Sequence, residues 1–210
     1  MELKNLDRKE EINKILGIKE SYKAPETLLK ILLKNDDTTR KVFIKMLELF
    51  EKDISYDWFH EYFQSEHADR KNKKQDFTPM QVGKLVHSLH NKLDGMLYEP
   101  TCGTGGLIIN HFNLVMEKYS PLTLNPSERF YICEELSDRA IPFLIFNLAI
   151  RGLNAFVIQC DVITRKAINF YSICNINNDC LDFSEVKKID NETAKKLLEE
   201  QTSLKYKLGD

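Results

Sequence analysis

The sequence predicts an α/β fold built on a parallel sheet, and three observations carry that expectation. Short runs rich in branched and aromatic residues end in acids: "GMLYE", "RFYICEE" and "AFVIQCD". Between them lie two stretches of helical periodicity, "GGLIINHFNLVMEKY" and "SDRAIPFLIFNLAIRGL". Strand, helix, strand, helix, strand is the pattern of parallel layering, in which each crossover helix covers the sheet. The third observation is the stretch "LYEPTCGTGG", which places three of the chain's eight glycines at Gly103, Gly105 and Gly106. Glycine weakens helices and strands, so a cluster of it needs a reason. The candidates are a tight turn, a close approach of backbone to a ligand, or a surface loop.

Each element has its own signal. Up to about Asn72 the texture is helical. "APETLLKILL" sets Leu28, Leu29, Ile31, Leu32 and Leu33 behind a proline suited to a first turn. "RKVFIKMLELFEKD" repeats the pattern with Val42, Phe43, Met46, Leu47 and Phe50. "SYDWFHEYFQSEH" adds Trp58, Phe59, Tyr62 and Phe63 as a helical aromatic stripe, which is read as packing and given no chemistry. "RKNKK" then brings four cations within five residues, a solvated linker or a phosphate contact. A helix is expected from Pro79, with Val82, Leu85, Val86 and Leu89 along it. Ser137 is a plausible cap for the second crossover helix, and Gly152 ends it. "AINFYSICN" is a possible fourth strand, followed by loop and a polar helix in "DNETAKKLLEEQTSLKYK". The expected division is a helical region over 1–72, a sheet domain over 73–183 and a polar helical segment over 184–210.

Composition narrows the class. Hydrophobic content of 42% and charged content of 30% are those of an ordinary soluble globular chain, and a net charge of −2 gives no overall pull toward nucleic acid. No apolar run approaches a membrane span. The charged N-terminus is unlike a secretory signal, so a cytoplasmic location is expected. Five cysteines with no short repeated spacing argue against a zinc cage or disulfide framework, and no metal is expected.

In a parallel α/β sheet, ligands bind outside the carboxyl ends of the strands. A turn of bare backbone leading into a helix lets a ligand come close and offers it donors. The turn lacks the spacing of a dinucleotide or phosphate loop. Glu134 and Glu135 end the next strand and Asp161 the one after. The first pair suits ribose hydroxyls and the second an adenine amino group. Such acidity repels phosphate but favours a nucleoside bearing a cation, as the sulfonium of S-adenosylmethionine does.

"QDFTP" followed by "YEPTCGTGG" resembles the adenine-specific DNA methylases, particularly the modification subunit of type I restriction systems. Those proteins carry an (F/Y)-T-P element ahead of D/E-P-x-C-G-T-G-G, then an acid after the second strand. "EELSDRAIPFLIFNLAIRGL" is similar to their second-motif region. The match runs from roughly Gln75 to Asp161, under half the chain. It implies a Rossmann-like class I methyltransferase fold, here with a truncated parallel sheet and an N-terminal helical region. It also implies S-adenosylmethionine as cofactor. Thr78, with Phe77 beside it, would contact the methionine end. Glu99, Gly103, Thr104 and Gly105 would hold the methionine moiety. Glu135 would take the ribose hydroxyls, with Glu134 as the fallback, and Asp161 would read the adenine amino group.

One part of the family pattern is missing. Its (N/D)-P-P-(Y/F) motif accepts the protons of the reacting amino group and stacks on a flipped-out base. Here the prolines stand at 25, 79, 100, 121, 126 and 142, no two adjacent. Asn175, Asn177 and Asn178 supply amides without a proline frame, so no catalytic residue is assigned. The expectation is a cofactor-binding module, non-catalytic or dependent on a partner. It would act on DNA or on restriction–modification subunits, which suits an anti-restriction or regulatory protein of a mobile element or phage. The alternative is an active adenine methyltransferase completed by unconventional residues or a second subunit; the expected partners are DNA and restriction–modification subunits or a second copy of the chain.

Overall fold

The structure, a computed structural model, describes residues 2–66, 93–121 and 123–209. Phe77, Thr78, the "RKNKK" cluster and the helix expected from Pro79 lie outside the described residues. The N-terminal region forms α1 (Glu2–Leu16), α2 (Ala24–Leu32), α3 (Asp37–Leu49) and α4 (His60–Glu66). Pro25 sits in the first turn of α2, where its missing N–H costs nothing. Asp36 opens α3 by accepting from the N–H groups of Thr38 and Thr39, and the Thr39 hydroxyl closes a capping box. The aromatic stripe is helical only from His60. Asp57, Trp58 and Phe59 precede the helix in a bend and turn, although Trp58, Phe59, Tyr62 and Phe63 are all buried as expected.

The expected strands follow. β1 (Gly95–Glu99), β2 (Arg129–Glu135) and β3 (Ala155–Asp161) lie side by side and parallel. Their crossovers are α5 (Gly106–Lys118) and α6 (Ile141–Ala149). Every residue of α6 is buried. A helix apolar all round must be covered on both sides, and here the sheet lies on one side and the N-terminal helices on the other. Phe143 packs on Phe59 with centroids 4.7 Å apart, and Phe146 on Phe43 at 5.1 Å. The helical region and the sheet therefore share one core. Burial of each such phenylalanine stabilises by roughly 1.5–3 kcal/mol. Ser137 caps the turn that leads into α6, as expected: its hydroxyl accepts from the Ala140 N–H at 3.3 Å and its carbonyl from the Ile141 N–H at 3.1 Å.

Parallel layering stops at β3. β4 (Lys166–Cys174) runs antiparallel to it, so the sheet is mixed rather than a truncated parallel one. The reason is length: residues 162–165 alone join the two strands, and a parallel return needs a dozen or more. β5 (Glu185–Ile189) pairs antiparallel with β4, so the segment from 184, expected to be polar and helical, begins with a strand of the sheet. The polar helix α7 (Asn191–Gln201) forms as expected and buries Ala194 and Leu198 on the far face of the sheet. The short β6 (Lys207–Leu208) pairs with β4. All five cysteines are free thiols, and Cys102, Cys133 and Cys160 are buried.

Candidate cofactor site

The glycine turn joins β1 to α5 at the carboxyl end of the sheet, as its sequence position requires. Gly103 has φ +56° and Gly105 φ +99°, left-handed conformations that side chains rarely adopt. A Cβ on Gly105 would also stand 3.0 Å from Leu144 Cδ1. The turn is closed by Gly105 N–H donating to Cys102 O at 2.8 Å and moored to β2 by Cys102 N–H donating to Glu134 O at 2.9 Å. The glycines therefore meet a backbone demand, and the surface-loop reading falls away.

Glu135 ends β2 and turns back on the loop. One carboxylate oxygen accepts from Gly103 N–H at 2.9 Å and the other from Ser137 N–H at 2.8 Å. Glu99, at the tip of β1, is 7% exposed, and among the described residues its Oε2 has no hydrogen-bond partner. Burial, reinforced by the charge of nearby Glu135, pushes its carboxyl up to about 7. A buried carboxylate oxygen without a donor is costly, and the cost falls away when a cationic or N–H-bearing ligand supplies one.

Glu134 differs completely. Alternation along β2 sends it to the opposite face, where it is fully buried. Arg165 grips both its oxygens at 2.8 Å, Tyr98 OH donates at 2.9 Å and Tyr206 OH at 2.5 Å. It is saturated and closed to a ligand, so it cannot stand in for Glu135.

Asp161 lies at the rim. Its neighbour two residues back, Gln159, is the register partner of Glu135, so Asp161 shares that face of the sheet. Its carboxylate accepts from Ile163 N–H at 2.9 Å and Thr164 N–H at 3.3 Å, which hold its pKa below the ordinary value. It shapes the β3–β4 hairpin and, among the described residues, makes no hydrogen bond to the other candidates. The structure thus brings Glu99, Gly103, Thr104, Gly105 and Glu135 together and sets Asp161 one step beyond them.

Three residues escaped the sequence reading. The Thr104 hydroxyl donates to Asp57, on the segment assigned only packing. Asn147 Nδ2 donates to Asp57 Oδ1 and to Thr104 O, both at 2.8 Å. Arg151 donates to Asn147 O at 2.7 Å and to Ile54 O and Tyr56 O at 2.9 and 2.8 Å. Asn147 did leave a signal: it is the sole polar residue in the otherwise apolar α6. Asp57 left none.

A cavity of about 20 Å³, lined by Phe112, Tyr131, Leu153 and Cys180 among others, lies at the opposite ends of the strands; it borders Arg151 but none of the candidate cofactor residues. Arg129 borders it with one nitrogen that has no partner among the described residues, but its guanidinium also donates to Leu93 O and Asn125 O and lies 4.8 Å from the Tyr119 ring. Among the described residues no cluster of His, Cys, Asp and Glu could hold a metal ion, and no helix is long and apolar enough to cross a membrane.

In a Rossmann-like α/β sheet the ligand crevice lies outside the carboxyl ends of the strands, where this chain has its glycine turn and acids. The chain matches the family model for N-6 DNA methylases over residues 51–169, more than half its length. It belongs to that family. The family's activity implies DNA as substrate and S-adenosylmethionine as methyl donor. No characterised protein and no solved structure matches the chain.

Proposed function

We propose that this chain binds S-adenosylmethionine at the glycine turn and serves as a non-catalytic or partner-dependent DNA-modification or anti-restriction module. The observation that carries the reading is the orphaned Glu99 Oε2, buried beside a turn whose backbone is bare. The cofactor's α-ammonium would meet Glu99, its methionine backbone would lie along Gly103 to Gly105, and its ribose hydroxyls would reach Glu135. Asp161 would take the adenine amino group at the rim, and Phe77 and Thr78 the methionine end. When bound, the cofactor supplies a methyl group on a sulfonium, and this chain's residues orient it and exclude water.

Two observations support a module without chemistry of its own. No two prolines are adjacent in these 210 residues, so the proline frame that positions a flipped base is absent from them. The strand after Asp161 also turns straight back along β3, and among the described residues nothing pairs with the free edge of β1. The acidic strand tips leave DNA contact to surfaces elsewhere, with the cationic stretch from Arg70 to Lys74 the first to examine.

Two measurements test the reading. S-adenosylmethionine at a hundredfold excess over its Kd should stabilise the fold by about 2.7 kcal/mol. Incubation with labelled cofactor and mixed DNA should leave the DNA unlabelled unless a partner is added. Label incorporated by the isolated chain would establish the active methyltransferase instead.

A further inference from the structure

The turn that forms the cofactor site is held from outside the methylase sheet. Asp57 precedes α4, yet its carboxylate accepts from Thr104, 47 positions along the chain, and from Asn147, 90 positions along. It also accepts from its own segment, from Phe59 N–H at 3.0 Å. Asn147 completes a ring by donating to Thr104 O, and Arg151 clips the same segment through the carbonyls of Ile54 and Tyr56. Thr104 is fully buried, so its hydroxyl has no water to fall back on. Thr104 also lies between the two glycines whose positive φ values define the turn. Glycines give that turn freedom, and something must take the freedom away.

We propose that Asp57 is a positioning residue for the cofactor turn: through the Thr104 hydroxyl and Asn147 it locks the Gly103–Gly105 backbone in its open, ligand-ready form. The inference rests on the cofactor reading for its purpose but not for its geometry. Its consequence is regulatory. The N-terminal helical segment and the cofactor site are one mechanical unit, so any partner that unseats residues 54–59 lowers cofactor affinity without touching the cofactor. A preformed loop binds more tightly because the ordering entropy has already been spent. Burial lifts the Asp57 carboxyl above its ordinary range, while the hydrogen bonds from Thr104 and Asn147 oppose that shift.

The test compares Asp57→Ala, Asp57→Asn and Thr104→Val in the full chain, with two readouts. In ligand-free protein, amide hydrogen exchange is followed at Gly105 and Ile109, whose N–H groups donate to Cys102 O and Gly105 O, with Val157 in β3 as the distant control. Asp57→Ala removes all three of these hydrogen bonds and should lose protection at the turn by about tenfold or more, the least that losing a single buried hydrogen bond to a charged group would cause, with far less change at Val157. Asp57→Asn, whose side-chain oxygen can still accept from Asn147 and whose amide can donate to the Thr104 oxygen, should retain protection within about threefold. Thr104→Val keeps the shape and removes only the hydroxyl, so it decides the matter if Asp57→Ala does not fold. Turn protection unchanged in Thr104→Val, or lost equally at Val157, overturns the proposal. The second readout is calorimetric affinity for S-adenosylmethionine, expected to fall in the same order. If the unmodified chain binds no cofactor, the cofactor reading fails while the exchange data still decide whether Asp57 holds the turn.

Discussion

Glu134 and Glu99 are both carboxylates buried at strand tips of one sheet, and the protein treats them in opposite ways. Glu134 receives four hydrogen bonds from Arg165, Tyr98 and Tyr206, so its charge is fully compensated within the chain. Glu99 is left with an oxygen that accepts no hydrogen bond among the described residues and a carboxyl raised to about 7. A buried acid that the fold has satisfied holds the structure together. A buried acid that the fold has left wanting holds a place for something else. The comparison yields four predictions, the strongest first.

Removal of Glu134 should do the most damage to the fold. Glu134→Ala strands Arg165 and two tyrosine hydroxyls and should destabilise by about 3–5 kcal/mol in urea unfolding. A loss under about 1 kcal/mol would mean that the cluster is more wet than its geometry indicates. Next comes the turn. Gly105→Asp must place a side chain at φ +99° against Leu144, which should cost roughly 1–3 kcal/mol of stability. It should also abolish measurable cofactor binding, because the carboxylate fills the turn; binding at undiminished affinity would show that the ligand lies elsewhere.

Glu99→Gln sharpens the contrast because it should move stability and binding in opposite directions. The carboxyl titrates near 7 in the folded protein and near 4.5 unfolded. The folded state therefore holds the proton more tightly, and stability falls as pH rises from about 4.5 to 7. Above pH 7 the full penalty, on the order of 3 kcal/mol, is in place. Glutamine should remove it, so the variant should be more stable than the parent at pH 8 and similar at pH 4, while binding cofactor at least about tenfold more weakly. Asp161→Asn should be the mildest change. The asparagine oxygen still accepts from Ile163 and Thr164, so stability should shift by less than about 0.5 kcal/mol. Cofactor affinity should fall about five- to tenfold if the carboxylate reads the adenine amino group; no fall would confine Asp161 to its hairpin.

Much of this was legible in the chain itself. The strands "RFYICEE" and "AFVIQCD" have the limits that β2 and β3 adopt, because branched and aromatic runs closed by acids have few other uses. The glycine turn was legible because positive φ leaves glycine as the natural choice. The direction of β4 was not, since "AINFYSICN" reads as a buried strand either way. Only the four-residue span between it and Asp161 carries that information. β5 was hidden by its lysines, which face outward along the sheet margin. Asp57 was hidden for a deeper reason. Its partners are 47 and 90 residues away, and no local pattern encodes a contact that only the packing of α6 between two layers creates.

Calorimetric titration with S-adenosylmethionine at pH 6 and pH 8, in two buffers of different ionisation enthalpy, tests Glu99 as the ammonium's partner most directly. Binding should release close to one proton at pH 6, where Glu99 still carries it, and none at pH 8, where Glu99 is ionised and the partly neutral ligand amine takes protons up instead. No saturable heat at millimolar ligand, or proton release that ignores pH, would contradict the site.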